Sequence, residues 1–313
     1  MNGIVIIDKP AGKTSHDVVS EVKKIMGAKK AGHTGTLDPM ATGVLPVCLN
    51  EATKLAQFLS GENKEYLATM LLGVKTDTLD TEGEVTGQSD KFVREEEIKA
   101  ALKQMVGKIR QVPPAYSAVK YCGEPLYKYA RKGIFLETAA REVEVYSIVI
   151  EDISFPRVTF RIACSKGTYI RSICSDVGDL LGCGACLCGL RRLSSGLFSA
   201  DMAVSLENYE REEKKSELLA KMLPMTKSLP LLTGIEVEED FANKLRDGLQ
   251  PSVEMMKEHV LPFLEAGDMV KFISHSGNLV ALAEMVAPVN KFSEFDGKRQ
   301  AAKIVRVFNN TSN

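Results

Sequence analysis

GHTGTLDPMATGVLPV, residues 32–47, is the stretch on which the reading of this chain turns. Its first part, Gly32–Gly43, holds three glycines and Pro39, which predicts irregular backbone held between regular elements, a setting in which chemistry gathers. It carries one carboxylate, Asp38, one imidazole, His33, three threonine hydroxyls and almost no bulk. On local grounds alone, Asp38 before Pro39 is a common turn pair and His33 an ordinary surface or capping histidine. Upstream, Ile4–Ile7 reads as a short buried strand that runs into the turn Asp8-Lys9-Pro10-Ala11-Gly12. A helix follows: Thr14 and Asp17 have capping-box spacing, Val18, Val19, Val22, Ile25 and Met26 share one face, and Gly27 supplies the stop.

Downstream, Val44–Leu49 predicts a strand, Thr53–Leu59 a short helix ended by Gly61, and Tyr66–Val74 another strand. Arg94–Met105 has helical periodicity in Ile98, Ala101, Leu102 and Met105, with Glu95 four residues ahead of Lys99. Arg141–Ile153 and Val158–Cys164 have strand character, so helices and strands are intermixed, and Glu210–Lys215 reads as the solvated face of a helix. After Leu229-Pro230 the texture changes. Phe241–Leu249 reads as a short helix, and Met269–Ile273, Leu279–Met285 and Lys303–Phe308 as strands, with Ser276-Gly277-Asn278 turning a hairpin. A length of 313 residues favours two domains, the second small and mostly β from about residue 234.

Composition places the chain among globular proteins: 44% hydrophobic and 26% charged residues leave no disordered or fibrous bias, and no apolar run approaches the roughly 18 residues of a membrane span. Seven cysteines without a leader read as reduced thiols in a cytosolic protein. Cys183, Cys186 and Cys188 have a CxxCxC spacing, yet a zinc site needs a fourth ligand and none stands nearby, so no metal is expected. Gly12-Lys13-Thr14 ends like a phosphate loop, but the glycine required five residues before Gly12 is Ile7, which excludes that motif. The net charge of −1 does not advertise a nucleic-acid partner; the cluster Lys23, Lys24, Lys29 and Lys30 beside the glycine loop points to one only locally.

Five ordered motifs then carry a resemblance. The run 32–47 is similar to the catalytic loop of the TruB family of pseudouridine synthases. Gly3–Ser15, GIVIIDKPAGKTS, is similar to that family's opening strand and DKP turn. Lys64-Glu65-Tyr66 with GVKTDTLDTEG, 73–83, resembles its tyrosine motif, and QVPPAYSAVKYCGEPLYKYARKG, 111–133, its mobile RNA-clamping insertion. SKGTYIRS, 165–172, and 182–198 with Leu190-Arg191-Arg192 resemble the rest of its active-site wall. Asn50 departs from the family's usual glycine; since Asn tolerates positive φ, the same turn is expected. Cys186 and Cys188 depart too, without touching the proposed chemistry.

The resemblance implies an α/β (α+β) catalytic domain on a mixed, largely antiparallel sheet over 1–233, with an insertion at about 111–140, and a small PUA-like β domain over 234–313. It implies isomerisation of the T-loop uridine, tRNA position 55, with no cofactor and no metal. Asp38 would attack C1′ or remove the 2′ proton, and Arg171 would pair with it and keep it ionised. Tyr66 would stack on the base and take the C5 proton; Tyr169 would line the pocket and bond Arg171 or substrate. Because the uridine must be extruded from a folded loop, His33 would stack in the vacancy or meet a phosphate, Lys9 would contact RNA backbone, and Leu190 would wall the pocket. Tyr116, Lys120, Tyr127 and Arg131 mix aromatic and basic character as RNA-facing segments do. The expected partner is the tRNA T-arm, bound by a monomer, with no membrane; nothing before Ile4 suggests recruitment of a guide RNA. A tRNA-folding chaperone with little or no catalysis is the competing class, and Asp38 paired to Arg171 is what separates the two.

Overall fold

The computed structural model describes residues 1–309. Its opening strand, Gly3–Lys9, is apolar at consecutive positions because both of its faces are covered. Val5 and Ile7 pack with Val18, Val22 and Ile25 of the helix Ser15–Met26, while Ile4 and Ile6 pack the opposite way with Leu279, Leu282 and Phe308 near the C-terminus. The period-2 alternation of strand side chains sends each set to its own layer. Thr14 caps the helix, with both hydrogen bonds of a capping box to Asp17, and Gly27 ends it in left-handed conformation.

Ten strands form the main sheet. Its path runs Val204–Ser205, Gly3–Lys9, Thr42–Leu49, Ala185–Ser195, Lys64–Leu72, Arg157–Cys164, Arg141–Ser154 and Gly107–Gln111, with Ala31–His33 and Phe198–Ser199 paired off this path. Two contacts on it are parallel, Gly3–Lys9 with Val204–Ser205 and Thr42–Leu49 with Ala185–Ser195; the others are antiparallel. Helices Glu95–Gln104 and Ile170–Leu181 cover one face, burying Ile98, Ala101 and Leu102 from the first and Ile173, Cys174 and Val177 from the second against Ala68, Met70 and Phe160. Lys64–Leu72 alternates buried and half-buried side chains along its whole length, which puts Tyr66 on the covered face.

The sheet begins earlier than the glycine content suggests: Ala31–His33 pairs with Val47–Leu49, so irregular backbone is confined to 34–41. The helix expected over Thr53–Leu59 is a 3-10 segment, Asn50–Leu55, followed by a single α turn, Ala56–Leu59. Gly73, at φ 83°, breaks the strand expected to reach Val74; Val74–Thr76 pairs instead with Val85–Gln88.

Asn50 has φ 52°, the positive value that a glycine would take there. Its side chain adds bonds that glycine lacks: Oδ1 accepts from the N–H groups of Lys29 and Lys30 at 2.8 and 3.1 Å, and Nδ2 donates to the carbonyl of Met1. The bonds brace the entry to Ala31–His33. Asn50→Gly relieves some backbone strain but loses these bonds, each of net worth about 1 kcal/mol. A destabilisation of about 1–2 kcal/mol is expected by thermal or urea unfolding; a variant as stable as the parent refutes it.

A second sheet, Thr233–Val237, Met269–Ser274, Leu279–Met285 and Ala302–Val307, forms the C-terminal unit around Ile235, Leu245, Phe272 and Ala283. It is not an independent bead. Leu279, Leu282 and Phe308 join the apolar cluster of Ile4, Ile6 and Val44, Lys271 Nζ donates to the carbonyls of Thr226 and Leu229, and Lys54 Nζ donates to that of Val307. Between the sheets, no described helix is long and apolar enough to cross a membrane.

Candidate active site

Strand ends and one helix start converge on Asp38. The loop that carries it is fastened from below. Lys9, at the end of the opening strand, is fully buried, and its Nζ donates to the carbonyls of Pro10, Pro39 and Ala41 at 2.9, 3.0 and 2.6 Å. Ser15, the first helical residue, exchanges hydrogen bonds with the backbone of Leu37, Oγ to O at 3.0 Å and N to Oγ at 2.8 Å. Arg192 is 1% exposed; its Nε donates to the carbonyl of Val44 at 2.6 Å and its Nη2 to that of Gly35 at 3.0 Å. The chain at Gly43 comes so near that a Cβ there would lie 2.2 Å from the Arg192 carbonyl oxygen, and φ is +99°. Only glycine permits that approach.

Arg171 lies in the first turn of Ile170–Leu181 and is 4% exposed, whereas the Asp38 side chain remains 35% exposed. The guanidinium meets the carboxylate side-on, Nε to Oδ2 at 2.9 Å and Nη2 to Oδ1 at 3.4 Å. Two further bonds hold it, Nη1 to the carbonyl of Thr78 at 2.8 Å and Nη2 also to that of Tyr116 at 2.8 Å, while Asp80 Oδ2 stands 3.7 Å from Nη1. A buried fork fixed on several sides leaves one carboxylate partly open to solvent, aimed by a group that cannot turn away.

Burial raises the Asp38 carboxyl above its ordinary value, the Arg171 charge pulls it back only in part, and the neighbouring Asp80 pushes it up again. Desolvation therefore outweighs the guanidinium. Burial also lowers Lys9 to about 8, an effect opposed by the Asp38 charge.

Other expected residues fall into two groups. Tyr66 and Tyr169 gather beside Asp38, the Tyr66 phenol raised by burial and sensing the charges of Arg192 and Asp38, the Tyr169 phenol raised likewise; half-buried Leu190 packs against the apolar cluster that includes Tyr66 and Leu37. Tyr169 does not reach Arg171 with its hydroxyl among the described contacts; its backbone is held by Gln111. Lys9 lies under the loop with its donors filled by carbonyls, so it has nothing left for a phosphate, and the expected RNA contact becomes a structural one. His33 sits half-buried with Nδ1 unpartnered, and burial, then the Arg192 charge, lowers its pKa, so its imidazole is neutral and suited to stacking rather than to pairing with a phosphate.

Asp80, Gln111 and the carbonyls of Thr78 and Tyr116 were given no role from the sequence, and Arg192 was named only within the motif Leu190-Arg191-Arg192. Asp80 lay inside the quoted run 73–83 and organises it: Oδ1 accepts from Thr78 Oγ1 at 2.6 Å and from the Glu82 N–H at 3.1 Å. Among the described residues no group of three or more metal-ligating side chains converges. All seven cysteines are free; Cys183 and Cys186 are buried, and Cys188 donates to the Thr69 carbonyl.

Residues 23–170 match the family model of the TruB family pseudouridylate synthase N-terminal domain, and residues 171–230 that of the tRNA pseudouridylate synthase B C-terminal domain. The tRNA pseudouridine synthase B of Syntrophus aciditrophicus is 51% identical over 308 residues, 98% of this chain and 99% of that one. The chain belongs to the TruB family. A second TruB relative, the tRNA pseudouridine synthase B of Geobacter sulfurreducens, is 40% identical over 310 residues, covering 99% of this chain and 100% of its own. The TruB fold is also matched in a crystal structure of a Cbf5–Nop10–Gar1 complex, with TM-score 0.73 and 31% identity over 98% of this chain and 85% of that one. A structure of an H/ACA RNP bound to a substrate RNA containing 2'-deoxyuridine gives 0.72 and 29%, over 98% and 85%.

Proposed function

We infer that this protein isomerises uridine to pseudouridine in tRNA, and we propose the T-loop uridine as its target and Asp38 as its catalytic carboxylate. The observation that carries the reading is the half-open Asp38 held by a buried Arg171 that is itself anchored on two backbone carbonyls. The reaction breaks the N1–C1′ bond, turns the uracil within the site and joins C5 to C1′; N1 gains a proton as C5 loses one, so no atom enters or leaves. The sugar develops oxocarbenium character, which a carboxylate answers by bonding to C1′ or by taking the 2′ proton. Both routes need the same ionised oxygen. Tyr66, a phenol raised by burial, stacks on the base and takes the C5 proton as it passes its own on. Tyr169 and Leu190 wall the pocket, and His33 stacks where the base has left.

The insertion supplies an RNA-facing surface, with a hairpin at Lys120–Tyr121 and Glu124–Pro125, Arg131 over the Tyr127 ring at 5.4 Å and exposed Tyr121 and Phe135. The C-terminal sheet serves as a PUA-like module on the acceptor-stem side. We propose a cytosolic monomer that works without guide RNA. A chaperone that only binds and releases tRNA would have no use for an aimed carboxylate, which favours the catalytic reading.

Incubating the protein with an unmodified tRNA transcript and mapping pseudouridine by position tests this directly; conversion at the T-loop uridine without added metal, nucleotide or guide is the expected result, and conversion elsewhere or none overturns it. The pH profile gives a second test. Activity needs ionised Asp38, so it is full above that group's pKa and is lost as pH falls through it; because burial raises the pKa above an ordinary aspartate's value of about 3.9, the acid limb of kcat/KM is expected above that value. A limb at or below it contradicts the assignment.

A further inference from the structure

The insertion leaves the main sheet at Gln111 and is fastened at two places to the helix that carries Arg171. Gln111 ends the strand Gly107–Gln111 and is 3% exposed. Its Nε2 donates to the Tyr169 carbonyl at 3.0 Å while its Oε1 accepts from the Tyr169 N–H at 2.7 Å, so one carboxamide occupies one residue's donor and acceptor as a neighbouring strand would. Tyr169 is the N-cap of Ile170–Leu181, two residues before Arg171. Past buried Pro113 and Pro114, whose rings fix φ, the chain returns at Tyr116, and its carbonyl takes Arg171 Nη2 at 2.8 Å. The arm between the two attachments is short and stiff. The root of the insertion therefore cannot swing without disturbing either the cap of that helix or the fork that aims Asp38.

We propose that Gln111 is a positioning residue through which the seating of residues 112–140 on RNA and the aiming of Arg171 at Asp38 become a single event. It rests on the catalytic reading of Asp38 and Arg171 and deepens it. Displacement of the insertion would loosen the fork, and RNA that holds the insertion down keeps the fork in the arrangement seen here. Coupling of this kind typically changes a linked equilibrium by roughly 5- to 150-fold.

The test uses the full chain and an unmodified tRNA transcript. Gln111→Met keeps length and apolar bulk but makes neither bond; its single-turnover rate at saturating enzyme is expected to fall roughly 30-fold, with tRNA affinity held within about threefold. A second change, residues 120–125 replaced by two glycines, completes a double-mutant cycle. In the parent this shortening is expected to lower affinity and saturated rate together, and in the Gln111→Met background affinity alone. Additive rate losses across the cycle, or a loss confined to affinity, overturn the proposal. Hydrogen exchange on the unmutated protein decides the matter if the variant does not fold. Binding of a T-arm hairpin with cytidine at the target position is expected to protect the amides of 112, 115–118 and 169–171 together, and protection of those before 119 alone overturns the proposal. If the parent binds tRNA yet forms no pseudouridine, the catalytic reading fails, while the exchange measurement still decides the coupling.

Discussion

Asp38→Asn is expected to lower the rate of pseudouridine formation by more than about 10⁴-fold while leaving tRNA affinity within about threefold. The amide has the same shape and keeps an acceptor for Arg171, so the loop pinned by Lys9, Ser15 and Arg192 stays as it is. What disappears is the ionised oxygen: a carboxamide neither bonds productively to C1′ nor takes a proton from C2′. Binding survives because the substrate is a polyanion, and removal of one negative charge from the cleft does not weaken its approach. Single-turnover kinetics at saturating enzyme, paired with a binding isotherm, separates the two effects. Turnover within tenfold of the parent would remove Asp38 from the mechanism, and loss of binding in parallel would make its role structural.

Arg171→Met has the second largest expected effect, and it falls on stability as well as rate. Removing the guanidinium leaves Asp38 and Asp80 facing each other without a cation and strips the carbonyls of Thr78 and Tyr116 of their donors. Breaking one side of a buried ion pair costs about 3–5 kcal/mol, and the lower end applies because Asp38 is open to solvent. The rate is expected to fall roughly 10²- to 10³-fold through misplacement of the carboxylate. The acid limb moves as well. Arg171 lowers the Asp38 pKa and Asp80 raises it, so loss of the cation shifts the pKa further up, and activity disappears at a higher pH than in the parent. Arg171→Lys restores charge without the planar fork and is expected to recover much of the stability but little of the rate. Thermal melts and pH–rate profiles of the three proteins check this; an unmoved acid limb in Arg171→Met would mean that the pair does not set the Asp38 charge.

Local signals made some elements legible. The helix Ser15–Met26 was readable because its cap, its apolar face and its terminal Gly27 agree at close range. Asn50 was readable as a left-handed position because it stands where the resemblance places a glycine and Asn tolerates positive φ. The Asp38–Arg171 pair spans 133 positions, and no periodicity links them; only the motif resemblance joined them. Lys9 shows how charge misleads. In sequence it is a cation beside a glycine loop, and only the register of Gly3–Lys9 against Thr42–Leu49 shows that its ammonium turns beneath that loop. Arg192, Gln111 and the Tyr116 carbonyl act through backbone groups, which every residue has and which therefore leave no compositional trace. The upward shift of the Asp38 carboxyl was equally hidden, because desolvation depends on what surrounds a side chain in space.

The interior shared by Ile4, Ile6, Leu282 and Phe308 turns the molecule into a fixed gauge. Apolar packing between its two units sets the span from the Asp38 site to the far sheet, so an RNA that touched both would have to match that span. Stems of the wrong length would then be refused by geometry, even where their loops carry a correctly placed uridine.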